Sequence, residues 1–126
     1  MQRLRSERGA AAVEFALVLP LLLLLVFGIV EFGRTFQVQA TLSAAAREGV
    51  RVMALQDDQA AARAAVRSAT TGLSPRPTDA QISVTPTACS TSGNATVTVH
   101  YRLDGLTGFF GWDYELTGKG VMRCSG

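Results

Sequence analysis

Few residues in this chain could do chemistry: two cysteines, one histidine, and two glutamates at the ends of an apolar run. Cys89 and Cys124 supply the pair of thiols that one intramolecular disulfide requires. A metal site is the competing interpretation, but it needs more ligands than these two thiols and His100 provide. Closing a loop of about 35 residues would contribute roughly 4 kcal/mol by the chain-entropy estimate. The spacing therefore predicts a disulfide and no metal.

The remaining polar residues do not assemble into a catalytic set. His100 falls on the polar side of an alternating stretch, where a solvated histidine is the simpler interpretation. Three spaced glycines, Gly105, Gly108 and Gly111, do not fit a phosphate-binding loop. The net charge of +2 is too small, and the charges too scattered, to indicate a nucleic-acid partner. We expect neither an enzyme nor a cofactor, and an envelope enzyme is the weakest alternative.

The two glutamates matter because of the apolar run between them. Residues 10–30 are interrupted only by Glu14, and a helix of this length spans roughly 31 Å, which matches a hydrocarbon core of about 30 Å. The run predicts a transmembrane helix over residues 10–33. A carboxylate costs about 2.5–3.5 kcal/mol at the centre of such a helix, so it usually has a partner or a task. If the chain were cut after Gly9, the new amino group of Ala10 would lie about one turn from Glu14.

The flanks of the run predict its orientation. Arg3, Arg5 and Arg8 precede it, whereas only Arg34 follows closely. Cytoplasmic flanks are enriched in basic residues, so residues 1–9 read as a cytoplasmic leader and the remainder as translocated. Glu31 lies three residues before Arg34, which predicts an ion pair, or two solvated side chains, at the membrane exit. An ordinary cleaved signal peptide fits less well. The apolar core of a signal peptide is shorter than this run, and an A-x-A cleavage site should follow that core.

Residues 34–72 read as a helical segment. One side of the predicted helix is apolar and built largely of small residues: Val38, Leu42, Ala45, Ala46, Gly49, Val52 and Met53. This stripe either covers the domain's own sheet or packs closely against a neighbouring subunit. A second helix is predicted from Gln59 to about Thr70, capped by Asp57 or Asp58, with Ala62, Val66 and Ala69 on one face.

Residues 73–126 read as a small β domain. Alternating patterns predict strands near 82–85, 95–103 and 114–124, the last broken at Gly118 and Gly120. A disulfide between Cys89 and Cys124 would hold the first and last strands together. The fold class is therefore α+β, with a long N-terminal transmembrane helix that continues into a helical spine packed on an antiparallel sheet of about three strands.

The N-terminal segment resembles a known family. The sequence RGAAAVEF at residues 8–15 is similar to the processing motif of type IV-like prepilins, in which a short basic leader ends in glycine and a glutamate stands at the fifth mature position. Together with ALVLPLLLLLVFGIVEFGR and AAREG (residues 45–49), it resembles the TadE-like family of the tight-adherence (Flp) pilus system. The closing VMRC, residues 121–124, is similar to the family's C-terminal end.

The resemblance implies a pseudopilin made as a bacterial inner-membrane precursor. A prepilin peptidase would cut it between Gly9 and Ala10, Phe15 would help that peptidase recognise it, and Glu14 would set subunit register. Its partners would be other pilins, pseudopilins and inner-membrane assembly proteins, and the processed chain could join the pilus. Unlike major Flp pilins, it carries a domain at residues 73–126, which argues against a bulk filament subunit. The alternative is an uncleaved, membrane-anchored periplasmic adaptor that binds through the loop LTGFFGW, residues 106–112.

Overall fold

The computed structural model describes residues 2–89, 93–104 and 113–124, with side chains from residue 6 onward. The elements are helices α1 (Gln2–Gln56) and α2 (Gln59–Ala69), a 3-10 turn (Asp79–Gln81), and strands β1 (Ile82–Thr85), β2 (Asn94–Asp104) and β3 (Asp113–Arg123). Two compact units are present, Met1–Arg34 and Thr35–Gly126. The predicted mixed class of a long N-terminal helix and a small sheet is confirmed. The boundaries predicted after residues 9, 33 and 72 stay predictions.

The first unit consists of the N-terminal part of α1. This helix contains a window long and apolar enough to cross a membrane, and none of that window is buried within the protein. Pro20 lies inside the helix, where its ring removes one backbone hydrogen bond to the preceding turn. Transmembrane helices tolerate such a proline because neighbouring groups can satisfy the freed carbonyl.

The second unit contains an antiparallel sheet in the order β1-β2-β3. In the register, Val97 lies opposite Val84 on one side and Gly120 on the other. The three predicted strands are confirmed, but the predicted breaks in the last strand are wrong, because β3 runs unbroken through Gly118 and Gly120. β2 lies between β1 and β3.

The core of the second unit lies between α1, α2 and one face of the sheet. Buried residues of α1 are Val38, Leu42, Ala45, Ala46, Val50, Met53 and Ala54. The sheet contributes Ile82, Val84, Ala95, Val97, Val99, Tyr101 and Leu103. Except for Ala54, these side chains form one contiguous cluster with Ala62 and Val66 of α2. The small-residue stripe therefore covers the domain's own sheet, as the first of its two interpretations predicted.

Glycines bring the backbones of α1 and β3 into direct contact. A Cβ atom built on Gly118 would lie 2.5 Å from the carbonyl carbon and oxygen of Leu42, and one on Gly120 would lie 2.7 Å from the Ala46 carbonyl oxygen. Any side chain at these positions would hold the helix away from the sheet. This close approach explains why β3 contains two glycines without being broken by them.

A sharp turn joins α1 to α2. Asp57 adopts a positive φ of 52° and donates its backbone N–H to the Met53 carbonyl at 3.0 Å, which ends α1. The Asp58 carboxylate then accepts hydrogen bonds from the N–H groups of Ala60 at 2.9 Å and Ala61 at 3.3 Å. Of the two predicted capping residues, Asp58 is the N-cap of α2.

The buried face of α2 differs from the prediction at its last position. Ala62 and Val66 are buried as expected, but Ala69 is exposed and Thr70 is buried instead. The buried row continues in steps of four, and the Thr70 hydroxyl donates to the Val66 carbonyl at 2.9 Å. A threonine can occupy this buried position because its hydroxyl is paired within the helix end.

We expect replacement of Asp58 with alanine to lower the free energy of unfolding by about 1 kcal/mol, because two N–H groups of α2 would lose their acceptor. Asp58→Asn, which keeps an acceptor oxygen, is the matched control and should cost less. Denaturant unfolding of the full-length protein in detergent, followed by circular dichroism, measures both. Equal stability of the alanine and asparagine variants would contradict the capping assignment.

Candidate functional site

The residues of the predicted processing motif all lie in the exposed N-terminal part of α1. Gly9, Ala10, Glu14 and Phe15 are helical and exposed, with 64% of Phe15 accessible. Residues four apart are neighbours on a helix surface, so Ala10 and Glu14 lie one turn apart on the same side. Other proteins therefore have access to the motif along this face of the helix.

Packing within the chain does not require a glycine at position 9. A Cβ atom at Gly9 would meet no atom within 4 Å, and the same is true at Gly28 and Gly33. A glycine inside a helix lowers its stability by roughly 0.5–1 kcal/mol relative to alanine. Gly9 is therefore a point at which the helix opens more easily, immediately before the bond predicted to be cut.

The apolar residues of the run are exposed except for Leu19, which is half-buried. The exposed large side chains are Val13, Phe15, Leu17, Val18, Leu21, Leu22, Leu23, Leu24, Leu25, Val26, Phe27, Ile29 and Val30. Water-soluble monomers rarely expose a contiguous apolar surface of this extent. Glu14 is the one carboxylate inside the run, so lipid or another protein would surround it.

The predicted membrane-exit pair lies at the end of the first unit. Glu31 and Arg34 are both half-buried, and each takes part in an interaction. The spacing of three residues brings two side chains to neighbouring positions on a helix. Their pairing with each other stays a prediction.

The predicted disulfide is confirmed. Cys89 and Cys124 are bonded, with their Cα atoms 5.5 Å apart. The bond links the segment after β1 to the end of β3, where the Cys124 N–H donates to the Gly93 carbonyl at 2.9 Å. The Cys89 N–H donates to the carboxylate of Asp57, so the same segment is also attached to the turn between α1 and α2.

The predicted helix motif AAREG has a structural explanation in the second unit. Ala45, Ala46 and Gly49 are buried, whereas Arg47 and Glu48 are exposed. A Cβ atom on Gly49 would lie 2.5 Å from a methyl carbon of Val66, so this glycine lets α2 pack closely against α1. The small residues of the motif serve helix packing, and its charged residues face outward.

His100 lies on the exposed face of the sheet, as the alternation predicts. Its Nδ1 atom is 3.6 Å from a Glu115 carboxylate oxygen and 3.5 Å from the Thr117 hydroxyl. Within residues 2–89, 93–104 and 113–124, no group of three acidic, histidine or cysteine residues could hold a metal ion. The predicted contact loop, residues 106–112, lies outside the described residues.

Comparison with known proteins identifies the segment that carries the motif. The sequence model of the TadE-like protein family matches residues 9–51. No curated protein and no solved structure matches the chain. The match covers residues 9–15 of the predicted processing motif, the apolar run and the AAREG motif, but not Arg8 or residues 121–124, whose resemblance stays a prediction. Over residues 9–51, this chain is therefore similar to the TadE-like protein family.

Proposed function

We propose that this protein is a pseudopilin-type structural component of a tight-adherence (Flp) pilus assembly system. The family match indicates a protein related to Tad pili. The TadE-like family is a structural family rather than an enzymatic one. The carrying observation is that one exposed helix combines Gly9, the Glu14-Phe15 pair and an apolar run of membrane-spanning length, all within the matched segment.

In this proposal a prepilin peptidase cleaves between Gly9 and Ala10. A peptidase must draw the scissile bond out of the helix, and Gly9 lowers the cost of local opening at that position. Cleavage creates a positive amino group on Ala10, one helical turn from Glu14. The carboxylate could then pair with that amine or with the amine of a neighbouring subunit, which would fix the axial register of packed helices.

The proposed topology places residues 1–9 in the cytoplasm, residues 10–33 in the inner membrane and the second unit in the periplasm. The basic residues Arg3, Arg5 and Arg8 support this orientation. The Cys89–Cys124 disulfide supports it independently, because disulfides persist in oxidising compartments. After processing, the second unit would remain available to other pilins, pseudopilins and inner-membrane assembly proteins.

Alkaline phosphatase fused after Gly126 tests the topology. The enzyme folds only in an oxidising compartment, so the full-length fusion should be active. A matched fusion after Arg8, which lacks the apolar run, should be inactive. An inactive full-length fusion present in normal amounts would contradict a periplasmic second unit.

Surface pili test the function. A strain that lacks this chain should lose its pili, and the native chain should restore them. We expect Glu14→Ala to reach the membrane but to fail in restoring pili, because its helix lacks the carboxylate that pairs with an amine. Glu7→Ala, in the leader that cleavage removes, is the matched control and should restore them. Normal pili in the deletion strain, or full rescue by Glu14→Ala, would overturn the proposal.

A further inference from the structure

The two edges of the sheet differ in how far the helices of the second unit cover them. At the β1 edge, Gln59 of α2 donates to the carbonyls of Val84 at 2.9 Å and Pro86 at 3.1 Å. Arg63 of the same helix donates to the Ile82 carbonyl at 3.3 Å. These side chains occupy acceptors that an added strand would need. The β1 edge is therefore closed to strand addition.

At the β3 edge, α1 covers the middle of the strand. In an antiparallel pair, alternate residues direct their backbone groups toward the partner strand and the others direct them outward. The Cys124 N–H donates inward to Gly93, so the odd-numbered residues of β3 direct their backbone groups outward. The outward carbonyl of Thr117 accepts a hydrogen bond from the Gln39 side chain at 2.8 Å. An added strand would therefore have to pair on one side of Thr117.

The second half of β3, residues 119–123, is an open edge. Within the part of the chain that the structure describes, no hydrogen bond reaches the outward backbone groups of Lys119, Val121 or Arg123. The side chains of all three residues are exposed. Backbone groups left unpaired along a strand edge are a template for an additional strand.

The side chains on the open half of β3 carry positive charge. Lys119 and Arg123 lie on the exposed face of the sheet, and neither forms an ion pair with another described residue. The carboxylates of this strand, Asp113 and Glu115, lie in its first half. An added strand on the open half would therefore face cations, which favours acidic side chains opposite them.

A third cation lies on the α1 side of the same edge. Gln39 contacts both the Thr117 carbonyl and the Ser43 hydroxyl, so the row of α1 residues spaced by four from Gln39 faces this edge. Arg47 is the next residue in that row, and it is exposed. Its backbone nitrogen would lie 3.0 Å from a Cβ atom on Gly120, which places Arg47 level with the open half of β3.

We propose that residues 119–123 bind an acidic, extended segment of another protein as an additional antiparallel strand. Carboxylates directly opposite Lys119 and Arg123 form opposite-charge pairs across the two strands, which are favourable. A second β3 strand is not this segment, because its own α1 would have to occupy the face that α1 already covers. The site lies in the second unit and is independent of cleavage at Gly9, so it goes beyond the proposed pseudopilin role.

The geometry of the edge defines the sequence pattern of the bound segment. Its two carboxylates are four residues apart, because they lie opposite Lys119 and Arg123, and an apolar residue midway between them lies opposite Val121. The intervening residues face α1, whose backbone contacts β3 at Gly120, so they must be small. The positive charge of Arg47 on that side adds to the preference for an acidic segment.

Fluorescently labelled peptides test the charge preference with the full-length protein in neutral detergent. The acidic probe has the order glutamate, alanine, valine, alanine, glutamate, and the basic probe carries lysine in place of glutamate. We expect fluorescence anisotropy to show about tenfold tighter binding of the acidic probe, because each glutamate faces a cation. Equal affinities of the two probes for the native protein would overturn the proposal.

A charge reversal in the protein locates the binding. Lys119→Glu should lower the affinity for the acidic probe about fivefold, because like charges then lie opposite each other. Arg76→Glu, an exposed position in the segment between α2 and β1, is the matched control and should leave that affinity unchanged. Equal losses in the two variants would show that the probe responds to net charge alone, which would contradict binding at β3.

N-methylated forms of the acidic probe distinguish strand addition from attraction between charges. In antiparallel pairing, the N–H of the probe's valine donates to the outward carbonyl of Val121, whereas the N–H groups of its alanines point away from β3. Methylation at valine should therefore weaken binding about fivefold, and methylation at alanine should leave it nearly unchanged. Both peptides keep the same charge and leave the protein unaltered. Equal affinities of the two methylated probes, or a dimer of this chain that excludes the acidic probe, would overturn the proposal.

Discussion

Alanine at Gly118 or Gly120 is expected to lower the free energy of unfolding by about 3 kcal/mol, near the upper end for an overpacked core. The new methyl group would lie 2.5 Å from the backbone of Leu42 or 2.7 Å from that of Ala46. Backbone atoms cannot move aside as the end of a flexible side chain can. The helix must shift away from the sheet, and the packing of Leu42 and Val97 must loosen with it.

Denaturant unfolding of the full-length protein in detergent measures this loss. Gly72→Ala is the matched control, because a Cβ atom there would meet nothing within 4 Å and its backbone carries no positive φ. We expect that control to change stability by no more than about 0.5 kcal/mol. If Gly118→Ala were as stable as Gly72→Ala, the described contact between α1 and β3 would be incorrect.

Removal of the disulfide should have an effect of similar size. Replacing Cys89 and Cys124 together with alanine opens a loop of 35 residues and should cost about 4 kcal/mol by the chain-entropy estimate. The end of β3 would lose its covalent attachment to the segment after β1. The hydrogen bond from the Cys89 N–H to Asp57 would also weaken, because that segment would be held less firmly.

Hydrogen exchange measured by mass spectrometry can locate this effect. We expect faster exchange in the last residues of β3 and near the turn between α1 and α2, with little change in the apolar run of the first unit. Asp57→Asn, which leaves the disulfide in place, serves as the comparison and should affect the turn and the backbone at Cys89, but not the end of β3. Unchanged exchange at the end of β3 in the double alanine variant would contradict a stabilising role for the disulfide.

Local periodicity was sufficient to predict most elements of the second unit. The α1 stripe was evident because Val38, Leu42 and Met53 repeat at helical spacing, and β2 because Val97 and Val99 alternate with threonine. These patterns reflect burial on one face, which each element shows in its own sequence. The pairing of Cys89 with Cys124 followed because the chain has no other thiol.

Features that depend on contacts between different helices and strands could not be predicted from the periodicity of single elements. Gly118 and Gly120 were expected to break β3, because glycine lacks a side chain to pack and weakens isolated strands. The structure shows that α1 supplies the missing packing. Their spacing of two, on the buried face of a strand, was the signal that could have indicated a close helix.

The strand order and the hydrogen bonds from α2 to the backbone of β1 could not be predicted from the sequence patterns either. The predicted disulfide holds the first and last strands together but does not indicate which strand lies between them, because cysteines beyond the strand ends can be bonded across an intervening strand. Gln59 and Arg63 read simply as polar helix residues, and only the packing of α2 beside β1 gives them their acceptors.

The candidate processing site was predictable for a different reason. In the proposed processing, Gly9, Glu14 and the apolar run would act through their positions along one helix, so their spacing in the sequence already contains the relevant geometry. The predicted roles of Glu14, Glu31 and Arg34 involve lipid and other subunits, which lie outside this chain.

The intact mass of the membrane-bound protein tests the central claim most directly. Purified from cells that contain a prepilin peptidase, it should lack the mass of residues 1–9 and begin with Ala10. Purified from cells without that peptidase, the same protein should keep its leader. A protein that retains residues 1–9 in both cases would contradict the proposed processing, leaving Gly9 and Glu14 as features of an uncleaved membrane helix.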